Sequence, residues 1–259
     1  MTTLLILEGN ATALVEAGKS DALPFAKCFM SIDPSLSLRV ANPYARDITL
    51  NDLTGVDGVV FTGSGVAWST AEPEAEPLRA AMRIVFETGL PVWGSCNGMQ
   101  LAAVVLGGIV GASPKGSEIG VAHDIQLTDA GAAHPMMAGK ASGFVSPCVH
   151  RDEVQDLPEG AVLLAGNDHS PVQAFAYAKD SVDFWGVQYH PECDSRDMAD
   201  WLRGRGAETD ALVADLEIAE TDSDAAARLG TSPKGLATPE RARELINWVQ
   251  HVKTRADCA

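Results

Sequence analysis

Five cysteines and six histidines are the residues of this chain best suited to nucleophilic or acid–base chemistry. Only one cysteine stands in a context that would expose a thiol for attack. Gly94-Ser95-Cys96-Asn97-Gly98 has the form Gly-x-nucleophile-x-Gly. It follows a strand-like run, Pro91–Gly94, and precedes Met99–Leu106, a good helix sequence. A nucleophile elbow needs that setting, because the sharp turn crowds the backbone on both sides and calls for small or absent side chains at the flanks. The following helix N-terminus favours a thiolate, and the backbone N–H of Asn97 faces a developing oxyanion. The bare pattern also fits a structural cysteine in a strand–helix turn. The other four cysteines lack such a setting and are expected to be structural or incidental. Cys28 lies in a helix-like stretch, Cys148 in an apolar run, Cys193 after a His-Pro-Glu segment and Cys258 in a fraying terminus.

A thiol nucleophile needs a base. Gly186-Val187-Gln188-Tyr189-His190-Pro191-Glu192 ends a strand with a histidine, and Pro191 stops the strand. A carboxylate two residues on can reach back to the second ring nitrogen, fix the tautomer and stabilise the imidazolium. Taken alone, such a segment also reads as a surface turn. His123, His134, His169 and His251 sit in less suitable places.

These residues require elements to hold them. Short apolar runs at Thr3–Leu7, Leu36–Ala41, Gly58–Thr62 and Pro91–Gly94 alternate with helix-like stretches. In the stretch before Gly89, Leu78, Met82, Val85 and Phe86 recur at helical spacing. The alternation predicts a parallel α/β sheet with helices on both faces and chemistry at the strands' carboxyl ends. Five further runs (Val121–Leu127, Gly143–Val149, Ala161–Ala165, Val172–Ala176, Phe184–Tyr189) suggest hairpins extending a mixed sheet. From Arg196 the chain reads as helical and polar: an amphipathic helix over Ala207–Ala219, a loop over Gly230–Gly235, and a final helix capped by Thr238.

Thirty-five acidic against nineteen basic residues give a net charge of −16. That field repels polyanions, which argues against nucleic acid or an anionic membrane as partner. No apolar run approaches the roughly 20 residues that span a bilayer. The N-terminus lacks a basic segment and reads as a first strand, which points to the cytoplasm. The scattered, odd number of cysteines suggests neither a disulfide framework nor a zinc site, and no metal or cofactor is expected.

The Cys96 elbow followed about ninety positions later by Gly186–Glu192 resembles the class I (triad-type) glutamine amidotransferase family. Phe61-Thr62-Gly63-Ser64-Gly65 is similar to that family's oxyanion loop. His150-Arg151-Asp152-Glu153-Val154 and Asn167–Phe175 are similar to two further family segments. Within the family the likeness is to free-standing members similar to the amidotransferase part of GMP synthase. It covers residues 1–200 as a catalytic domain, with 201–259 a helical C-terminal extension packed on it. The resemblance implies a doubly wound, flavodoxin-like fold. It implies a triad of Cys96, His190 and Glu192, and an oxyanion hole from the amides of Asn97 and Ser64. It implies contacts to the glutamyl portion from Gly63, Gln100 and His150. For His150 and Asp152 the alternative is a hydrogen-bonded pair that holds their loop.

The sequence departs from the family in two places. Asn97 stands where relatives carry an aromatic or aliphatic residue, making the pocket wall more polar. The loop at Thr62–Gly65 lacks the family's proline and is expected to be less fixed. The implied activity is cysteine-dependent hydrolysis of the γ-glutamyl amide of glutamine or of a γ-glutamyl amide or peptide. No ATP-binding loop of P-loop or pyrophosphatase type is present, which favours a stand-alone hydrolase. The alternatives are a glutaminase subunit feeding ammonia to a separate synthase chain, and a non-catalytic glutamyl-ligand binder. The acidic helical stretch Ala207–Gly230 is expected to cover the pocket mouth, to form a homodimer contact, or to be a solvated excursion.

Overall fold

The structure is a computed structural model that describes residues 1–257, apart from the Glu208 side chain. Cys258 lies outside the described residues. The strands are β1 (Thr3–Leu7), β2 (Ser37–Ala41), β3 (Gly58–Phe61), β4 (Pro91–Ser95), β5 (Ile109–Ala112), β6 (Glu118–Leu127), β7 (Phe144–His150), β8 (Asp152–Asp156), β9 (Val162–Gly166), β10 (Ala174–Lys179) and β11 (Val182–Val187). Among the described residues, nine of them form one sheet in the order β2-β1-β3-β4-β11-β10-β9-β6-β7, and β5 pairs with β8 apart from it. The half from β2 to β11 is parallel, and the rest is antiparallel. This is the expected α/β sheet with its hairpin extension. The β5–β8 ladder is an element the hydrophobic runs did not reveal, because β5 is only four residues long and β8 is mostly polar.

The central strands are apolar throughout because both faces are covered. Leu4, Ile6, Val60 and Trp93 enter one core, and Leu5, Leu7, Val59, Phe61 and Val92 the other. The helices are α1 (Thr12–Glu16), α2 (Ala22–Ile32), α3 (Glu76–Phe86), α4 (Asn97–Val105), α5 (Asp129–Ala133), α6 (Ser195–Leu202), α7 (Ala207–Ile218), α8 (Ser223–Arg228), α9 (Pro233–Leu236), α10 (Thr238–Arg241) and α11 (Arg243–Asp257). Helix α2 (Phe25, Phe29) and α11 (Leu245, Trp248, Val252) fill the first core. Helices α3 (Leu78, Met82, Val85) and α4 (Met99, Leu101) fill the second.

Two expectations about the tail are corrected. Pro233–Leu236 is a helical turn, not a loop, because the Ser232 side chain accepts from the Gly235 N–H and Pro233 starts it. The final helix is interrupted: Thr238 begins α10 with Ala237 as its cap, and Ala242 (φ −97°, ψ 25°) separates it from α11. The buried Arg241 side chain at this break donates to the carbonyls of Pro191 and Leu236. Helices α6 to α9 share a small third core built around Leu202, Val213, Leu216 and Leu229.

Candidate active site

Adjacent strand ends bring together residues far apart in sequence. Strand β4 lies between β3 and β11, with Phe61 beside Gly94 and Val187 beside Ser95. The Cys96 N–H continues that ladder, donating to the Val187 carbonyl at 2.7 Å. Three residues beyond Val187 the chain reaches His190, whose N–H donates to the Pro147 carbonyl at 2.7 Å.

Cys96 has φ +49°, a strained value for a residue with a side chain, and forms the cap of α4. Both flanking glycines are required. A Cβ at Gly94 would lie 2.6 Å from the Gly98 carbonyl carbon, and one at Gly98 would lie 2.3 Å from the Phe61 carbonyl oxygen. Cys96 is 6% exposed and lines a cavity of about 300 Å³, and its thiol donates to the Val149 carbonyl at 3.5 Å.

His190 Nδ1 lies 2.7 Å from Glu192 Oε1. The other Glu192 oxygen accepts from Ser95 Oγ at 3.0 Å, and Ser95 Oγ accepts from Trp93 Nε1 at 2.9 Å. The carboxylate is therefore held from both sides, by residues that sequence reading did not assign to it. Burial works against a charged His190. The Glu192 carboxylate and hydrogen bonds with the Cys193, Cys96 and Glu192 side chains outweigh burial and raise the imidazole well above its ordinary pKa. Cys193 also borders the cavity, but burial and Glu192 push its thiol up to about 12. Burial likewise pushes Cys28 up to about 11, and raises Cys148. None of these three is a ready nucleophile.

The Thr62–Gly65 loop is more firmly held than its missing proline suggested. Thr62 Oγ1 accepts from the Gly9 N–H at 2.8 Å and donates to the Gly63 carbonyl at 2.8 Å. Ser64 Oγ donates to the Gly9 carbonyl at 2.8 Å, and Asn10 Oδ1 accepts from the Gly65 N–H at 2.7 Å. Side chains thus replace the ring as the constraint. Gly63 packs on the imidazole, where a Cβ would lie 2.8 Å from His190 Cε1. The Gly65 amide is engaged, whereas among the described residues the Ser64 amide donates to no protein acceptor. The Asn97 amide opens α4, where no intrahelical acceptor exists.

Gln100 and His150 line the same cavity. Gln100 Nε2 donates to the Asp152 carbonyl at 2.6 Å and to Gln188 Oε1 at 3.2 Å. His150 is 4% exposed; its Nδ1 donates to the Asp152 carbonyl at 3.0 Å, and its Nε2 lies 2.9 Å from Glu118 Oε2. Burial would raise Glu118, but hydrogen bonds from His150, Asn167 and Gln173 hold its carboxyl below the usual range. The His150 loop is thus tied down through the Asp152 backbone and through Glu118, a partner the sequence did not indicate. The Asp152 carboxylate instead pairs with Arg151 at 2.8 Å. Met198 and Trp201 of the tail also wall the cavity, as does Asp21 at the start of α2. Asp21 carried no sequence signal beyond that of a helix-start acid.

Comparison with known proteins identifies the family. The glutamine amidotransferase class-I family matches residues 18–205. A γ-glutamyl-L-1-hydroxyisopropylamide hydrolase from a Pseudomonas species is 33% identical, with the match covering 96% of this chain and 92% of that protein. The GMP synthase of Wolinella succinogenes is 39% identical over 58% of this chain, but the match spans only 27% of the synthase. Among solved structures, a glutamine amidotransferase from Thermotoga maritima superposes with a TM-score of 0.69 at 19% identity, covering 97% of each chain. No helix among the described residues is long and apolar enough to cross a membrane. The chain belongs to the class I glutamine amidotransferases, amidohydrolases that act on the C–N bond of a glutamyl amide.

Proposed function

We propose that this protein is a stand-alone hydrolase of γ-glutamyl amides of small amines, with Cys96, His190 and Glu192 as its triad. The convergence of the Cys96 thiol, a carboxylate-held imidazole and two unengaged amides on a single cavity carries the reading. Cys96 sulfur attacks the γ-carbonyl carbon after its proton has passed to His190. The oxyanion is held by the amides of Asn97 and Ser64. His190 then protonates the amide nitrogen, the C–N bond breaks and the amine departs, leaving a glutamyl thioester. Water gives a proton to His190 and attacks the thioester carbon. Glutamate leaves and the thiol is restored. Glu192 orients the imidazole and stabilises its charge throughout.

Gly63, Gln100 and His150 surround the glutamyl portion in this reading. Both Gln100 amide protons are already donated within the protein, so its carbonyl oxygen is the group left for the substrate's α-ammonium. His150 shapes the pocket through its tie to Glu118. A buried thiol nucleophile suits a reducing compartment, consistent with a cytoplasmic location. Support for the hydrolase over a partnered glutaminase comes from the Pseudomonas relative, matched along nearly its whole length, whereas the GMP synthase is matched over about a quarter. The reading of 1–200 as a catalytic domain with 201–259 a helical extension packed on it draws support from the small core that α7 to α9 share with α6 and from the packing of α11 into the first core.

The test is direct. Purified protein is incubated with glutamine and with γ-glutamyl alkylamides, and glutamate and released amine are quantified. Fast amide turnover with slow glutamine turnover supports the hydrolase. Activity on glutamine only after addition of a synthase chain supports the subunit instead. Cys96→Ala is expected to abolish turnover while circular dichroism stays unchanged. Undiminished turnover by that variant would remove the mechanism.

A further inference from the structure

The hydrolase reading, on which this inference rests, leaves open what receives the departing amine. Its position follows from the chemistry. His190 must protonate the leaving nitrogen, so the amine's substituent lies on the His190 side of the thiol, away from Gln100 and His150. The polar side chain of Asp21 stands beside the imidazole there. Asp21 occupies the position before α2, where an aspartate ordinarily accepts from first-turn amides, yet its side chain makes no such bond. Asp21 lines the cavity. A Cβ built on Gly63 would lie 2.8 Å from His190 Cε1 and 3.7 Å from Asp21 Oδ2, so imidazole and carboxyl flank the same glycine.

The two neighbouring carboxylates are already occupied. Glu8 accepts from Ser20 Oγ and from the amides of Asn10, Asp21 and Ala22. Glu192 is shared between His190 and Ser95. Glu8 also takes over the capping of α2, through the Ala22 amide, and so releases Asp21 from that duty. Burial, then the charge of Glu8, raises Asp21 to about 7; Glu192 adds to the effect, while His190 and a hydrogen bond with Asn10 oppose it. Near neutrality the group is part acid and part carboxylate, and can both donate and accept. That suits a neutral hydroxyl. Pro24 and Met198, also on the cavity wall, provide apolar surface for a short carbon chain.

We propose that Asp21 is the specificity-determining residue for the leaving group: it hydrogen-bonds a hydroxyl two carbons from the amide nitrogen. The favoured substrates are then γ-glutamyl amides of small amino alcohols. The γ-glutamyl amides of 2-aminopropan-1-ol and of isopropylamine differ by that hydroxyl alone, and the amide of 1,2-diaminopropane places an ammonium there instead. The measured quantity is the ratio of kcat/KM for the first amide to that for the second. The wild type is expected to favour the hydroxylated amide by about 10- to 100-fold, the range for a hydrogen bond to a charged or partly charged group. Asp21→Ala is expected to bring the ratio near one, and the isosteric Asp21→Asn to leave it between. Free 2-aminopropan-1-ol should inhibit the wild type more strongly than isopropylamine, and Asp21→Ala should erase the difference. Asp21→Asn keeps the test decisive if the alanine variant does not fold. No preference in the wild type, or a ratio unmoved by both substitutions, overturns the assignment. Preference for the diamine amide overturns the hydroxyl in favour of a cation. A folded wild type inert on every amide removes the hydrolase reading itself, and this inference with it.

Discussion

Glu192 illustrates how few degrees of freedom the proposed chemistry leaves at the residue scale. Both carboxylate oxygens are used, one by His190 and one by Ser95, and Ser95 is itself held by Trp93. In the proposed mechanism His190→Ala removes the proton shuttle, and kcat should fall by at least about 10²–10⁴-fold. Glu192→Gln retains shape but loses charge, so steady-state kinetics should show a smaller loss. Equal losses would mean that the carboxylate does more than orient. Asp21 bears on stability as well as specificity. Its folded pKa of about 7 exceeds the ordinary 3.8, so the folded state holds this proton longer than the unfolded chain does. The stability tied to that proton is complete below about pH 4 and declines as pH rises toward 7. Asp21→Asn lacks the decline. In thermal melts it should exceed the wild type by on the order of 2 kcal/mol at pH 8, with the gap closing near pH 4.

At the scale of elements, the site is a meeting of strand ends, and glycines decide how closely they meet. Gly98 and Gly63 serve different ends. A methyl group at Gly98 would strike the Phe61 backbone at 2.3 Å, separating β3 from α4. A methyl group at Gly63 would strike the His190 ring at 2.8 Å. Gly98→Ala is therefore expected to lower stability by at least about 1–3 kcal/mol in urea titrations, the range for overpacking a filled core. Gly63→Ala is expected to reduce kcat far more than it shifts the urea midpoint, because a displaced imidazole costs activity before it costs packing. The hydrogen-bonded Gly9–Asn10 and Thr62–Gly65 segments explain why that loop needs no proline.

Across the whole molecule, the C-terminal helix reaches back to the turn that bears His190. Tyr189 OH donates to Glu244 Oε1 at 2.6 Å, and Lys140 Nζ pairs with the other oxygen at 3.0 Å. Glu244 is fully buried, and the Lys140 side chain is only 7% exposed. Helix α11 is thus locked both to the sheet and to the residue preceding His190. Glu244→Gln leaves a buried ammonium without its counter-charge and should destabilise the protein by about 3–5 kcal/mol in chemical denaturation. Replacing Lys140 and Glu244 together by Met and Leu should recover much of that loss, since the cost lies in the unpaired charge.

What the sequence by itself determined is what short-range sterics and patterning encode. The Gly-x-Cys-x-Gly turn, the apolar runs that became β1, β3, β4 and β11, and the His190–Glu192 spacing each lie within a few residues of chain. Their shapes follow from which side chains fit such a turn or a strand covered on both faces. The tertiary structure decided the rest. The position of β4 beside β11 depends on long-range strand pairing, which leaves no local trace. Glu118 reached His150 across the β6–β7 ladder, from 32 residues away. Asp21 has the sequence look of an ordinary helix cap, and only the placement of Glu8 at the end of β1 frees it to face the cavity. The tail's Met198 and Trp201 became part of the cavity wall because α6 packs beside it, a relation of surfaces that no periodicity expresses.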